Sequence, residues 1–281
     1  MFQHDLLKGK RILVTGGGSG LGKCMTRRFM ELGAEAIICG RRTDVLEATA
    51  AELGEATGAS ISVHSLNIRD ADAVDEMIGR VFADGPLDAL LNNAAGNFIA
   101  KTETLSPRAV DAVLNIVAHG SVYATLACGK RWIEAGHRGH VLSILATYAW
   151  TGAPYVMPSA MGKAAVLAMT RSLAVEWGRK GVRLNTIAPG PFPTEGAWSR
   201  LFPTPEIADK VEKDSPLGRT GRHEELENLA AYMMADGSEY MNGEVVTIDG
   251  GRWMNRASSM DFGFDLTDAQ WDHFNPKKGK G

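Results

Sequence analysis

Only three cysteines occur among 281 residues, and Cys24, Cys39 and Cys128 are scattered, odd in number and without Cys-x2-Cys spacing. That pattern excludes a disulfide-stapled scaffold and offers no zinc-ligand arrangement, so three reduced, mostly buried thiols are expected. No uninterrupted apolar run reaches the ~18 residues of a bilayer span. Lys and Arg number 30 against 33 Asp and Glu, a net charge of -3. This balance gives no electrostatic reason to expect nucleic acid or an anionic membrane as partner. Met1 to Lys10 lacks the apolar core of a signal peptide and the Arg/Ser-rich, acid-poor character of a transit peptide. Lys278-Gly279-Lys280-Gly281 is not a peroxisomal address. A cytoplasmic protein is the expectation. The one skewed count is glycine, at 32.

Short β-rich runs alternate with longer helical patterns. Arg11–Thr15, Ala36–Gly40, Ile61–Ser65, Ala89–Asn92, Val141–Leu145, Arg183–Ala188 and Val245–Ile248 read as strands. Leu21–Leu32, Asp44–Thr57, Ala71–Phe82, Pro107–Ala135, Pro158–Gly178 and Glu224–Met234 carry apolar residues at helical spacing. This alternation predicts an α/β fold, a parallel sheet of about seven strands with helices on both faces. No repeat or Pro/Ser-rich linker divides the chain, so residues 1–281 are expected to form a single domain. Two segments break the rhythm. Pro189–Ser215 holds five prolines and no clear period, and a long irregular loop in a compact domain is usually functional; a substrate lid around residues 191–215 is expected. The tail, 252–281, holds Phe262, Phe264, Trp271 and Phe274, too many aromatics for a solvated end, and is expected to pack on the domain or a neighbouring subunit.

The first strand runs into Gly16-Gly17-Gly18-Ser19-Gly20-Leu21-Gly22, followed by a helix. Glycines there let the backbone turn sharply and approach a diphosphate, whose charge helix N-terminal amides can meet. After the first strand of an alternating chain, this turn signals a Rossmann-type, doubly wound dinucleotide fold. An NAD site usually has an acid about 20 residues on. Here Gly40-Arg41-Arg42 stands at that point. A carboxylate would repel a 2′-phosphate, whereas a guanidinium binds it through charged hydrogen bonds, so NADP(H) is favoured.

Ligands in such sheets lie outside the carboxyl ends of the strands. Asn92-Asn93-Ala94-Ala95-Gly96-Asn97, Ala146-Thr147-Tyr148 and Pro189-Gly190-Pro191 leave those ends. If the fourth and fifth strands are neighbours, Asn97 and Tyr148 emerge side by side. Ser159 and Lys163 are four apart and share one helix face. Tyr155 is eight residues before Lys163 and reads as packing or substrate-facing; Asn115 reads as ordinary helix, and the role of His119 stays open.

Thr15-Gly16-x3-Gly20-x-Gly22, Asn92-Asn93-Ala94-Ala95-Gly96, Lys163 within Ser159-Ala160-Met161-Gly162-Lys163, and Pro189-Gly190 together resemble the short-chain dehydrogenase/reductase family, over roughly Lys8 to Gly251. The usual pattern of that family is Tyr-x3-Lys with a serine some thirteen residues upstream. Here Ser159 stands in the tyrosine position and Ala146 in the serine position. A serine hydroxyl is far too weak an acid to replace a phenol of pKa ~10 that the lysine tunes downward. The departure resembles the 2,4-dienoyl-CoA reductase branch, which shares Asn92 to Phe98, Tyr148 before Thr151-Gly152, Pro158-Ser159-Ala160-x2-Lys163, Gly196-Ala197-x-Ser199-Arg200-Leu201 and Leu266-Thr267-x3-Trp271.

The resemblance implies NADPH-dependent reduction of a 2,4-dienoyl-CoA to a 3-enoyl-CoA in unsaturated fatty acid oxidation. It implies Tyr148 and Asn97 as the pair that stabilises the thioester oxyanion, with Lys163 gripping the nicotinamide ribose and Ser159 hydrogen-bonding near the thioester or the cofactor. Cofactor contacts are implied for Gly16, Ser19, Gly20, Leu21, Gly22, Arg41, Arg42, Asn67, Ile68, Asn93, Ala94, Lys163, Pro189, Gly190 and Phe192. Substrate contacts are implied for Asn97, Phe98, Tyr148, Ser159 and Arg200, the last either meeting a CoA phosphate or tying down the lid. No metal is implied. The partners implied are an acyl-CoA thioester and further copies of the chain, a homotetramer built on the helices Pro107–Ala135 and Pro158–Gly178. Two alternatives remain open: a reductase of another CoA thioester, 2-enoyl or 3-oxoacyl, and a non-catalytic NADP(H)-binding sensor or scaffold.

Overall fold

In the parallel strands, Ile12 and Val14 point to one side and Leu13 to the other, the two-residue period of extended backbone. Ile12 and Val14 join a core with Met25, Phe29, Leu226 and Met233. Leu13 joins a second core with Ile37, Ile78, Trp132, Trp177 and Leu184. The sheet is thus covered on both faces, as parallel sheets require. The computed structural model describes residues 2–194, 204–271 and 274.

Seven strands, β1 (Arg11–Thr15), β2 (Glu35–Gly40), β3 (Ile61–Ser65), β4 (Ala89–Asn92), β5 (Gly139–Ile144), β6 (Val182–Pro189) and β7 (Val245–Ile248), form one sheet. Their order is β3-β2-β1-β4-β5-β6-β7, with every pairing parallel. Strand order reverses between β1 and β4. There the connections leave to opposite sides and open a crevice at the carboxyl edge.

Helices α1 (Gly20–Glu31), α2 (Thr43–Thr57), α3 (Ala71–Ala83), α4 (Pro107–Leu114) and α5 (Gly120–Ala135) follow the sequence expectation within a residue or two. The last two form one column through a π-helical turn, Asn115–His119. Residues 107–135 are long and apolar enough to cross a membrane by length and composition, with 56% of the most apolar window buried. Ala124, Cys128 and Trp132 of this column fill the core against the sheet. Helix α7 (Met157–Gly178) packs beside it; α6 (Tyr148–Thr151) is a single turn between β5 and α7.

The expected irregular lid is corrected in part. Residues Pro205–Lys213 form a helix, α8, with Thr204 as N-cap accepting from Ile207 N and proline in the first turn. Thr-Pro-Glu at 204–206 is a helix-start signal that the density of prolines upstream obscured. Gly196, Ala197, Ser199, Arg200 and Leu201 lie outside the described residues. Helix α9 (His223–Met234) precedes β7, and α10 (Arg252–Ala257) and α11 (Asp268–Trp271) follow it. In the tail, Trp271 packs edge-on against Phe274 at 5.8 Å between ring centres. Both rings, with Phe262, leave about half their surface open; the Phe264 side chain lies outside the described atoms.

Two glycines let tryptophans lie flat against backbone. A Cβ at Gly139 would stand 2.2 Å from the Trp132 ring, and one at Gly129 2.3 Å from Trp177. Trp132 is fully buried, and its indole donates to Leu87 O. Gly139→Ala should therefore destabilise by about 1–3 kcal/mol through overpacking. A thermal melt should drop by several degrees, whereas Gly237→Ala, with open space around its Cβ, should not move it.

Candidate active site at the sheet switch point

The site begins where β1 ends. Thr15 is 2% exposed, and its hydroxyl accepts from both Asn93 N and Ala94 N at 3.0 Å while donating to Leu91 O. The Asn93 amide donates to Thr15 O and Gly16 O. Asn93 therefore clamps the β1 turn from below. Over it lies the first turn of α1 at Gly22, where a Cβ would meet Gly16 O at 2.3 Å and Asn93 Nδ2 at 2.4 Å. Only glycine lets this helix start so close to the strand it leaves. Gly16 and Gly20 have φ of 69° and 55°, the left-handed region that glycine adopts without strain.

Helix α1 begins without a side-chain cap and without an acid in its first turn. By contrast, Asp70 caps α3 and Ser106 caps α4. The first amides of α1 are free to meet an anion, the arrangement that binds phosphate. At the end of β2, Arg42 donates to the Ser19 hydroxyl at 3.2 Å, and both Arg41 and Arg42 line the cavity. The glycine turn and this cationic wall fit a dinucleotide whose phosphates lie over the β1–α1 junction.

The cavity has a volume of about 580 Å³. Of the residues assigned to the cofactor from sequence, Gly16, Ser19, Leu21, Gly22, Arg41, Arg42, Asn67, Ile68, Asn93, Ala94, Lys163, Pro189, Gly190 and Phe192 line it. Gly20 does not; it faces Thr194 instead. Ile116 and Arg252 line it without having been assigned from sequence, and so do Thr147 and Thr194, which were read only as parts of a strand-end segment and of the lid. Arg252 follows Asp249-Gly250-Gly251, a turn past the last strand, and its place in the sheet order is what brings it there.

β4 and β5 are neighbours, and Asn97 and Tyr148 accordingly line the same cavity. The Asn97 side-chain oxygen accepts from Phe98 N at 2.9 Å. That commits the acceptor end of the amide and leaves its NH₂ as donor. Phe98 is exposed and does not line the cavity. Tyr148 Oη lies 3.1 Å from Ser159 Oγ, and Ser159 is 2% exposed, behind the phenol rather than in the cavity wall. Burial pushes the Tyr148 phenol up, opposed by the Ser159 hydrogen bond, so it stays protonated at neutral pH and can donate. Lys163, one turn after Ser159, donates to Ile144 O at the end of β5. Its burial lowers its pKa from 10.5 to about 8.

Arg200 lies outside the described residues. Asn115 and His119 are spent on each other, with His119 Nδ1 at 2.8 Å from Asn115 Oδ1, and neither lines the cavity. Tyr155 has φ 65° and is 56% exposed; its carbonyl accepts from Ala100 N and ties together the loops that carry Asn97 and Tyr148.

A seven-stranded doubly wound sheet with a glycine cradle at the switch point and a buried Ser–Tyr–Lys cluster beside it defines a dinucleotide-dependent oxidoreductase. A family model described as Enoyl-(Acyl carrier protein) reductase matches residues 16–252. The chain belongs to the short-chain dehydrogenase/reductase family. It is 44% identical to a Caenorhabditis elegans protein named probable 2,4-dienoyl-CoA reductase 3, (3E)-enoyl-CoA-producing, over 90% of this chain and 83% of that protein. It is 42% identical to a Bacillus subtilis protein named probable 2,4-dienoyl-CoA reductase, (2E)-enoyl-CoA-producing, over 88% of this chain and 97% of that one. The crystal structure of a short chain dehydrogenase from Bacillus anthracis superposes with a TM-score of 0.80 at 42% identity, covering 88% of this chain and 98% of that one.

The depressed Lys163 pKa has a measurable sign. The folded protein releases this proton near pH 8 and the unfolded chain near 10.5. Between those values the unfolded state binds more protons, so this group's cost to folding is greatest below about pH 8 and is relieved as pH rises through the window. In cofactor-free protein with ¹³C-methylated lysines, one NMR resonance should titrate near pH 8 and vanish in Lys163→Met. A full set of resonances titrating at ordinary lysine values would contradict the assignment.

Proposed function

We propose that the protein is an NADPH-dependent 2,4-dienoyl-CoA reductase that produces a 3-enoyl-CoA. The observation that carries this reading is the exchange of groups at the catalytic position. Buried Ser159 occupies the place of the usual phenolic acid, while Tyr148 and Asn97 line the cavity as two neutral donors. Two such donors suit charge that develops on a carbonyl oxygen and then moves away along a conjugated system. They do not suit transfer of a proton to that oxygen. The two relatives named as 2,4-dienoyl-CoA reductases agree with that chemistry.

NADPH, when bound, would supply a hydride to C5 of the diene, and the electron pair displaced from the C4–C5 double bond would pass through the conjugated system to the thioester oxygen. Tyr148 Oη–H and the Asn97 NH₂ donate to that oxygen as it becomes negative. Hydrogen bonds aimed at developing charge in a buried site are among the larger contributions to rate. Ser159 donates to Tyr148 Oη, leaving the phenolic hydrogen for the oxyanion, and fixes the ring. Lys163, anchored on Ile144 O, holds the nicotinamide ribose. Return of the electron pair to C2 with a proton gives the 3-enoyl product; protonation at C4 would give the 2-enoyl product that the Bacillus subtilis relative's name carries. Arg41 and Arg42 favour NADPH over NADH by meeting the 2′-phosphate. The exposed Leu126, Met161 and Val175 on α5 and α7 support assembly of the chain as a homotetramer.

The deciding measurement follows NADPH oxidation with a panel of CoA thioesters, with the product double bond located by NMR. Turnover of a 2,4-dienoyl-CoA to the 3-enoyl product is expected; turnover of a 3-oxoacyl-CoA alone would overturn the reading. Tyr148→Phe should lower kcat by about 10²–10³, the typical cost of losing one oxyanion donor, with NADPH affinity little changed. For the cofactor, Arg41→Ala and Arg42→Ala should each weaken NADPH by about tenfold and NADH far less. Equal losses would remove the 2′-phosphate contact.

A further inference from the structure

Pro191, Phe192 and Thr194 line the active cavity, and Pro193 between them does not. Two of these four residues are prolines and bring no backbone N–H to a hydrogen bond. The segment must therefore be held largely through its carbonyls. Pro191 O accepts from Gly221 N at 3.0 Å, and Pro193 O accepts from His223 Nε2 at 2.5 Å. Between these two bonds the Phe192 ring lies against Gly221, where a Cβ would stand 2.3 Å from it. Residues 221 to 223 thus form a rail along the back of this cavity wall. One of its two donors is backbone and the other is a side chain.

The rail has a set place. Glu225, the third residue of α9, accepts from Arg222 N at 2.8 Å and from the Arg219 guanidinium at 2.8 and 2.7 Å, which fixes the helix start that carries His223. The same ring also reaches α1, with Nδ1 at 3.4 Å from Cys24 Sγ. Helices α1 and α9 are joined further along by Arg27 with Glu227 at 3.2 Å and Arg28 with Asn228 at 3.1 Å.

The two partners of His223 decide its tautomer. A carbonyl can only accept, so Nε2 carries the hydrogen, and Nδ1 of the neutral ring is an acceptor facing the Cys24 thiol. Burial, reinforced by the Glu227 carboxylate, pushes that thiol up, which keeps its S–H available to donate. A donor behind the ring orients it and selects which nitrogen holds the hydrogen. A chain of two hydrogen bonds therefore runs from α1, the helix that begins at the glycine turn, through His223 to the wall. The wall stands close to that turn, since a Cβ on Gly20 would lie 3.8 Å from Thr194.

We propose that His223 is a positioning residue for the cofactor. By donating Nε2–H to Pro193 O it holds the Pro191–Thr194 wall in register with the start of α1, and so sets the cleft that a dinucleotide enters. Without that bond the wall occupies its binding position for a smaller fraction of the time, and apparent affinity falls by that fraction. The inference rests on the dinucleotide reading of the cavity and is independent of which thioester is reduced.

Titration of NADPH followed by its fluorescence tests this without turnover. His223→Phe keeps an aromatic ring and removes the donor, whereas His223→Gln keeps an N–H of comparable reach. The Kd for NADPH should rise at least fivefold in the Phe variant and return to within twofold of wild type in the Gln variant. Misfolded protein would lower the stoichiometry of the titration and leave Kd unchanged, so the two effects separate. In ¹⁵N-histidine spectra of the cofactor-free protein, the ring that disappears in His223→Gln should show a protonated Nε2 and a bare Nδ1. A Phe variant within twofold of wild type, a Gln variant as weak as the Phe variant, or a hydrogen on Nδ1 alone would each overturn the proposal. Wild-type protein that bound no dinucleotide would instead remove the cofactor reading beneath it.

Discussion

The arrangement depends on the contact between Gly22 and the Asn93 amide at the switch point. With no Cβ on Gly22, α1 begins within touching distance of the Gly16 carbonyl, and Asn93 reaches across to bond Thr15 and Gly16. This single close approach joins β1 to the loop leaving β4. It orients the uncapped first turn of α1 toward the crevice and sets where the residues after Asn93, up to Asn97, emerge. A methyl group at Gly22 would separate these pieces, and both the phosphate cradle and the start of the catalytic loop would shift together.

From that joint the site extends in two directions along the carboxyl edge of the sheet. Towards β2 it is cationic and suited to the phosphates of a dinucleotide. Towards β5 and β6 it becomes a set of neutral donors backed by a buried lysine. The Tyr148–Ser159 contact connects a one-turn helix to the start of α7, so the phenol is held from behind by a hydroxyl that solvent does not reach. With Ser159 in the usual tyrosine position and Ala146 in the usual serine position, it is Tyr148 that reaches the cavity wall beside Asn97. In the function proposed above, these two donors would steady an oxyanion where the usual tyrosine protonates oxygen, on an unchanged scaffold.

Much of this was legible in the chain. All seven strands and the main helices were readable because each is a run with one hydrophobic period, and boundaries differ by only a few residues where caps and turns decide them. Helix α8 was missed because five prolines in 189–215 read as irregular, although Thr204-Pro205-Glu206 begins a helix once the capping hydroxyl of Thr204 is considered. The tail aromatics were expected to pack on the domain or a neighbouring subunit; in the fold Trp271 meets Phe274 edge-on and both keep about half their area outward. Gly20, read as a cofactor contact, is not itself in the cavity lining, but a Cβ on it would lie nearest Thr194, which is.

Taken alone, the order of residues determined the α/β class, the phosphate-binding turn, the arginine pair after β2 and the substitution of serine for tyrosine four residues before Lys163. These are local properties, set by spacing and side-chain chemistry within a few turns of chain. Only the tertiary structure decided that Asn97 and Tyr148 share one cavity, since that needs β4 beside β5. It also decided that Ser159 stands behind the phenol, that Lys163 is buried enough for its pKa to fall to about 8, and that Arg252 reaches the cavity from the far end of the sheet. Each of these depends on strand order and on exclusion of water, and neither is written in any short stretch of sequence.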